Sequence, residues 1–486
     1  MGGGGRLRLS GSRGQVTGKL RRGPARPLLS VAIAGVVVAS AVSAWLTLRA
    51  DRLPSRPLDV QILLIDTLRA DRLPIYGYGR STAPNLTSFA KSAVVFDNTW
   101  ATASWTLPST ASVLTGTYPS VHGVRAKNGD KPSVFTVRQR VETFAEAMHQ
   151  AGYYNIALIA NFWLAGEHGI DRGFDHYQIM GKATAEELNA RARELLEKVP
   201  ADQPVFLYLH YLDVHAPYHG YDVELEPMDP KFTERRLAPY EWGRSKQLIK
   251  GFKSDTPPML SVFIDAYDKA IYGWDRQFGA WVQWLGETGR LDRTAIAVTA
   301  DHGEEFLDHG RWAHGNSLYQ EQLWVPWILR VPGLQPARVE TPSSIADIAP
   351  TILTLLGEEV PETMLGVAQV RSGMARLAEV DPDRSVFAEL NADGGGNWGN
   401  SEMQAARRRD TKVVRRNRNY DGYQSFDLAA DPNERLDTPA SPELVELLDD
   451  LAAKYQDIGE GLGRPGNVEM SDDLKERLRS LGYDFE

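Results

Sequence analysis

Five apolar runs of strand length recur along the chain, at Val60–Ile65, Tyr154–Ala160, Val205–Tyr211, Thr294–Thr299 and Trp324–Val331. They are apolar throughout rather than alternating, which suits strands buried on both faces, as in a parallel sheet. Helical patterns lie between them. The clearest spaces Tyr267, Ile271, Trp274, Phe278, Trp281 and Leu285 as one face of an amphipathic helix, and its aromatic stripe reads as core. Alternation of this kind predicts an α/β fold, a mostly parallel sheet with helices on both faces. Three of the runs end in polar residues: Val60–Ile65 leads to Asp66, Val205–Tyr211 to Asp213 and His215, and Thr294–Thr299 to Asp301 and His302. Open α/β sheets bind ligands at the carboxyl ends of their strands, so these residues are the first candidates for a site.

The N-terminus has a different character. Residues 1–26 form a basic tail with no acid before Asp51, and Pro27–Leu48 is uncharged and rich in Val, Ala, Leu and Ile. As a helix that stretch would span about 33 Å, enough to cross a bilayer. Basic residues before it favour a cytoplasmic tail and an exported body, a single-pass protein of the cell membrane. Small residues at Val42-Ser43-Ala44 also suit cleavage of a signal segment, which would leave a secreted or periplasmic protein. Met1-Gly2 is no myristoylation signal, because position 6 is Arg. The net charge is −9 although residues 1–49 carry eight basic side chains and no acid, so the remainder stands at −17. So acidic a body excludes general binding of nucleic acid.

Residues 49–58 form a proline-containing linker, 59–374 the predicted catalytic domain and 375–486 a small C-terminal α+β subdomain. Phe232–Pro258 is polar and proline-punctuated, an insertion near the site mouth. Gly394–Asn400 reads as a loop and Ala405–Arg418 as basic strand.

Each chemical motif has an ordinary alternative. Asp66 ends a strand, where Asp commonly caps or turns. Thr106 precedes Pro108 by two residues, which places it at a helix N-terminus, either as a plain cap or where backbone N–H groups and the dipole favour an oxyanion. Asp301-His302 offers a carboxylate and an imidazole, donors suited to Zn²⁺, Mn²⁺ or Fe²⁺. Ca²⁺ prefers oxygen alone, though Ca²⁺ or Mg²⁺ stays open. Asp71 reads as a cap or as the partner of a local Arg, and His210 and His309 as structural.

Taken in order, Asp66-Thr67-Leu68-Arg69, the run Thr106-Leu107-Pro108-Ser109-Thr110-Ala111-Ser112-Val113-Leu114-Thr115-Gly116, and Asp301-His302-Gly303-Glu304-Glu305 resemble the first metal segment, active-site run and second metal segment of the sulfatases. Asp427-Leu428-Ala429-Ala430-Asp431-Pro432-Asn433-Glu434 resembles a segment of their small C-terminal subdomain. The resemblance spans about Asp59 to Pro432 and implies the alkaline-phosphatase-like fold, one divalent metal held by Asp66, Thr106, Asp301 and His302, and an anionic ester substrate. It implies a substrate-contacting His215, and His314 where relatives place a Lys or His to hold the anion or protonate the leaving oxygen. Asn128 could donate to a substrate oxygen, although an Asn-Gly turn explains it equally well. Asp213, His215 and His314 could instead hold a second metal.

Two departures shape the expected chemistry. Sulfatases open the active-site run with a Cys or Ser converted to formylglycine; here the position is Thr106, and the chain has no cysteine. The family's Arg four residues later is Thr110, leaving Arg69 or His314 to supply charge. A formylglycine hydrate expels sulfate by collapsing to the aldehyde, which threonine cannot do. The expectation is therefore a hydrolase, or phospho-group transferase, that attacks a phosphoryl-type ester with Thr106 as nucleophile and His314 or His215 assisting the leaving group. The rivals are a sulfuric ester hydrolase working without formylglycine, and a membrane-anchored binding protein that keeps the fold.

Overall fold

The computed structural model describes residues 1–2, 57–127, 133–218, 222–228, 259–391, 402–416 and 422–480. Residues 51–486 form one compact unit, distinct from 1–50. Pro27–Leu48, Asn128, Phe232–Pro258 and Gly394–Asn400 lie outside the described residues. Among the described residues no helix is long and apolar enough to cross a membrane.

All five apolar runs are strands of one nine-stranded sheet. Its members are β1 (Asp59–Ile65), β2 (Val94–Trp100), β3 (Tyr154–Ile159), β4 (His176–Ile179), β5 (Val205–Tyr211), β6 (Thr294–Ala300), β7 (Trp324–Arg330), β8 (Ala337–Val339) and β9 (Ser343–Ser344). The order is β8-β2-β7-β6-β1-β5-β3-β4, with β9 also beside β2. Strands β6, β1, β5, β3 and β4 pair in parallel, whereas β7 runs antiparallel to both β6 and β2. The sheet is thus mixed but mostly parallel. Strands β1, β5 and β6 are buried along their whole length, as unbroken apolar runs require.

Side chains alternate across the sheet, and each face has its own helices. Trp281 of α4 (Leu260–Glu287) donates to Gln61 of β1, and Asn189 of α3 (Ala185–Lys198) accepts from Tyr211 of β5. On the opposite face Phe206 of β5 meets Phe144 of α2 (Phe144–Gln150), and that layer includes α1 (Thr106–Thr115) and α5 (Ile348–Leu356). All six residues of the predicted α4 stripe are buried, each worth about 1.5–3 kcal/mol of apolar burial.

A second sheet, antiparallel, follows the body: β10 (Ser385–Asn391), β11 (Glu402–Arg408), β12 (Thr411–Arg416), β13 (Tyr423–Asp427) and β14 (Thr438–Pro439). The basic stretch with strand character is the hairpin of β11 and β12. Helix α6 (Pro442–Gly461) packs on this sheet and stacks Tyr455 on Tyr118 of the body at 4.2 Å. Asn467–Glu469 then pairs with Ser133–Phe135, so the chain's last part returns to the first half.

Candidate active site

Five strands deliver polar residues to one edge of the sheet. Asp66 follows β1, Asn161 follows β3, His210 is the last but one residue of β5 and His215 lies beyond it, Asp301 and His302 follow β6, and β2 leads through Trp105 to Thr106. Because β6, β1, β5 and β3 are parallel neighbours, their carboxyl ends form the floor of the site.

Thr106 occupies the first turn of α1. The preceding Trp105 is the N-cap, extended and without a side-chain cap bond. Thr106 Oγ1 lies 3.3 Å from His302 Nε2, and both residues are fully buried. The hydroxyl therefore sits where the helix dipole favours negative charge. Nearby Ser109 donates to the Asp301 carbonyl at 2.5 Å and ties α1 to the end of β6.

His302 Nδ1 lies 2.9 Å from the Gly303 carbonyl, which fixes that nitrogen as the N–H donor. Its Nε2 lone pair is then directed at Asp66 Oδ1, 3.5 Å away, and Asp301 Oδ2, 3.6 Å away. Asp66 Oδ2 accepts from Asn161 at 2.6 Å, and Asp301 Oδ1 accepts from the backbone of Thr67 and His302 at 3.3 and 2.9 Å. Among the described residues Asp66 Oδ1 and Asp301 Oδ2 have no hydrogen-bond donor. Burial, then repulsion from Asp301, pushes the Asp66 carboxyl up to about 6, and burial pushes Asp301 up to about 7. Two buried carboxylates facing one another with open oxygens, beside an imidazole whose far nitrogen is tied to a backbone carbonyl, fit a divalent cation. Donor atoms of Asp66, His210 and Asp301 lie within 4.8 Å of one another, and His302 and Thr106 stand beside them.

Thr67 adopts φ 62°, rare for a β-branched residue. Its hydroxyl turns to the carbonyls of Asp66 and Val214, and its own carbonyl accepts from Tyr267 of α4 at 2.7 Å. Backbone strain of this kind concentrates at functional sites, and here it aims the Thr67 N–H at Asp301.

A second group of side chains stands beside the first. The His314 ring lies 4.5 Å from that of His302 and 5.2 Å from that of His215. His314 Nδ1 is 3.0 Å from Glu304 Oε1, and Glu304 Oε2 accepts from Tyr218 at 2.8 Å. Burial works against a charged His314, yet Glu304, by charge and hydrogen bond, holds it above the ordinary imidazole value. His215 donates to its neighbouring carbonyl at Ala216, 2.6 Å away, and burial depresses it. The surroundings thus favour the charged form of His314 and the neutral form of His215.

Several sequence expectations change. Arg69 is clamped between Asp71 and Asp308, at 2.7 and 2.9 Å, so two carboxylates offset its charge, with a further bond to the Glu304 carbonyl. Asp71 is its local partner, as expected. Asp213 does not join His215 and His314, since its Oδ1 accepts from Ala185 at the start of α3. His210, expected to be structural, groups instead with Asp66 and Asp301. His309 stacks on Tyr319 at 3.5 Å and bonds Glu321 and the Glu434 carbonyl, a structural role. Sequence reasoning misses the parts played by Asn161, Glu304 and Tyr218. The Glu304 signal is in plain view, two residues after His302, but its partner lies ten residues further on.

The chain is 25% identical over 421 residues to an ulvan-active sulfatase of Formosa agariphila, covering 82% of this chain and 66% of that one. It is 26% identical over 464 residues to the low-salt glycan biosynthesis sulfotransferase Agl7 of Haloferax volcanii, covering 87% and 96%. Its fold matches the phosphonate monoester hydrolase of Silicibacter pomeroyi with a TM-score of 0.62 at 23% identity, over 82% of this chain and 94% of that one. Residues 59–358, which hold every group of the cluster, match the sulfatase family model, and the chain belongs to the sulfatase family of ester hydrolases.

Proposed function

We propose that this hydrolase cleaves, or transfers, a phosphoryl-type ester through Thr106, with one divalent transition metal held by Asp66, Asp301, His302 and Thr106. The observation that carries the reading is the Thr106 hydroxyl at a helix N-terminus, 3.3 Å from His302 and beside two open carboxylate oxygens. The metal, when bound, would supply positive charge that acidifies the hydroxyl and stabilises the oxyanion. The Thr106 hydroxyl would give up its proton to solvent when the metal is bound; Thr106 Oγ1 then bonds phosphorus as the in-line bond from phosphorus to the ester oxygen breaks, and His314, favoured in its charged form by Glu304, gives that leaving oxygen its proton. His215, neutral, orients the substrate from the other side. Water, or an acceptor alcohol, then gives a proton to the now neutral His314 as its oxygen bonds phosphorus, and the bond from phosphorus to Thr106 Oγ1 breaks. Asn128 remains part of the reading as a donor to a substrate oxygen.

Sulfuryl transfer is the second reading, favoured by the names of the relatives and opposed by Thr106, which has no second hydroxyl on its β-carbon. Matched aryl phosphate, phosphate diester, phosphonate and sulfate esters separate the two. The phosphorus series should exceed the sulfate ester by about 10²-fold or more in kcat/KM, about 2.7 kcal/mol. Rapid acid quench should trap phosphothreonine on the Thr106 peptide by mass. Equal turnover of sulfate would overturn the reading. The proposal also places the body outside the cytoplasm, anchored by Pro27–Leu48 or released by cleavage there, which protease accessibility on intact cells would test.

A further inference from the structure

The cluster holds one more group with no other employment. His210 is the last but one residue of β5, registered between Leu64 of β1 and Ile159 of β3. Strand alternation places it with Phe206 and Tyr208 on the sheet face that α1 and α2 cover, the face from which Thr106 approaches. It is fully buried, and among the described residues neither ring nitrogen has a hydrogen-bond partner. Its Nε2 lies 3.9 Å from Asp66 Oδ2 and 3.9 Å from Asp301 Oδ2. That is too long for a hydrogen bond, but two donors bound to one ion at about 2.0–2.2 Å lie about 3–4 Å apart. The same spacing recurs for His302 against Asp66, Asp301 and Thr106. Thr67, the residue adjacent to Asp66, contributes no donor, because its hydroxyl is turned to two backbone carbonyls.

We propose that His210 is a ligand of the metal, which makes the donor set two carboxylates and two imidazoles beside the Thr106 oxygen and biases the site toward Zn²⁺, Mn²⁺ or Fe²⁺ over Ca²⁺. The inference rests on the metal-centre part of the proposed function and is independent of Thr106 as nucleophile. A buried imidazole with both nitrogens unpaired is otherwise a cost with no return, whereas coordination satisfies one nitrogen directly.

X-ray absorption of the Zn²⁺-loaded full-length protein tests it without any substitution, since multiple scattering counts coordinated imidazoles. Two are expected; one would overturn the role of His210 and leave the metal centre standing, and failure to bind any metal would overturn both. Equilibrium dialysis then compares His210→Ala with the wild type. Zn²⁺ affinity should fall by about 100-fold or more, and the visible spectrum of the Co²⁺-substituted protein should shift. Thr67→Asp in the His210→Ala background should restore binding with Ca²⁺ gaining on Zn²⁺, because an oxygen donor replaces a nitrogen. An unchanged affinity and Co²⁺ spectrum in folded His210→Ala would overturn the proposal.

Discussion

Two clusters of fully buried charge sit in this molecule on opposite terms. In the C-terminal sheet Lys412 lies 2.5 Å from Glu434 and donates to the Leu318 carbonyl at 2.6 Å, while the rings of Trp100, Tyr319 and Phe426 surround its ammonium at 5.1 to 5.9 Å. Glu434 also accepts from the Gln320 backbone at 2.6 Å. At the carboxyl edge of the main sheet Asp66 and Asp301 face each other, and among the described residues the ion-pair partners they have are imidazoles. The first cluster cancels its own charge and is architecture. The second sets two carboxylates against each other with open oxygens, an arrangement that concentrates at functional sites. Burial alone therefore does not mark a site; uncancelled burial does.

The largest expected effect is at the nucleophile. Thr106→Ala should lower the rate by about 10³–10⁶-fold while leaving the fold intact and most of the metal bound through the remaining ligands, and Thr106→Ser should keep some activity. Activity within about threefold of wild type would break the assignment. Next comes the cancelled cluster. Lys412→Met leaves Glu434 buried and unpaired, so urea denaturation should register a loss of about 3–5 kcal/mol, much of it regained when Glu434→Leu is added. A negligible loss would remove the contrast between the two clusters.

A smaller effect is expected at Glu304. Gln there keeps a hydrogen bond to His314 but not the charge, so kcat should fall about 10–100-fold with metal content unchanged, while loss of metal would reassign Glu304 to the metal centre. The smallest effect sharpens the comparison through pH. The Asp301 carboxyl rises to about 7 in the folded state from an ordinary value of about 3.9, so the folded protein binds the extra proton between them. The stability it contributes is present below about pH 4 and is lost as pH rises through about 7. Metal-stripped protein should therefore weaken across that interval, and saturating metal should abolish the decline. Asp301→Asn should raise metal-free stability at pH 8 by about 1–2 kcal/mol while weakening metal binding. A metal-free stability flat in pH would show the carboxylates cancelled by something else.

The strands and the carboxyl-edge site are legible in the sequence because their signals are local: unbroken apolar runs followed by Asp66, Asp301 and His302. The α4 stripe is equally plain, since six apolar residues at helical spacing have one reading. What escapes depends on pairing across the chain. His210 looks like any other residue of a buried strand until β1 is known to be its neighbour. Arg69 reads as an available charge until Asp308, distant in sequence, is found against it. Strand β2 carries no such mark, although it leads to Thr106, because Asp97 and Asn98 interrupt its apolar run.

The reversed direction of β7 has a consequence for how such a site can change. Because β7 runs opposite to β6, the chain leaves the sheet at the site edge after Ala300 and re-enters at the same edge at Trp324. No crossover helix intervenes, and a single excursion brings His302, Glu304 and His314 over the site. Both ends of that excursion are pinned to adjacent strands, so insertions or deletions between them leave the sheet's register untouched. Variation in substrate among relatives of this topology can therefore accumulate in one stretch of chain, without renegotiating the core beneath it.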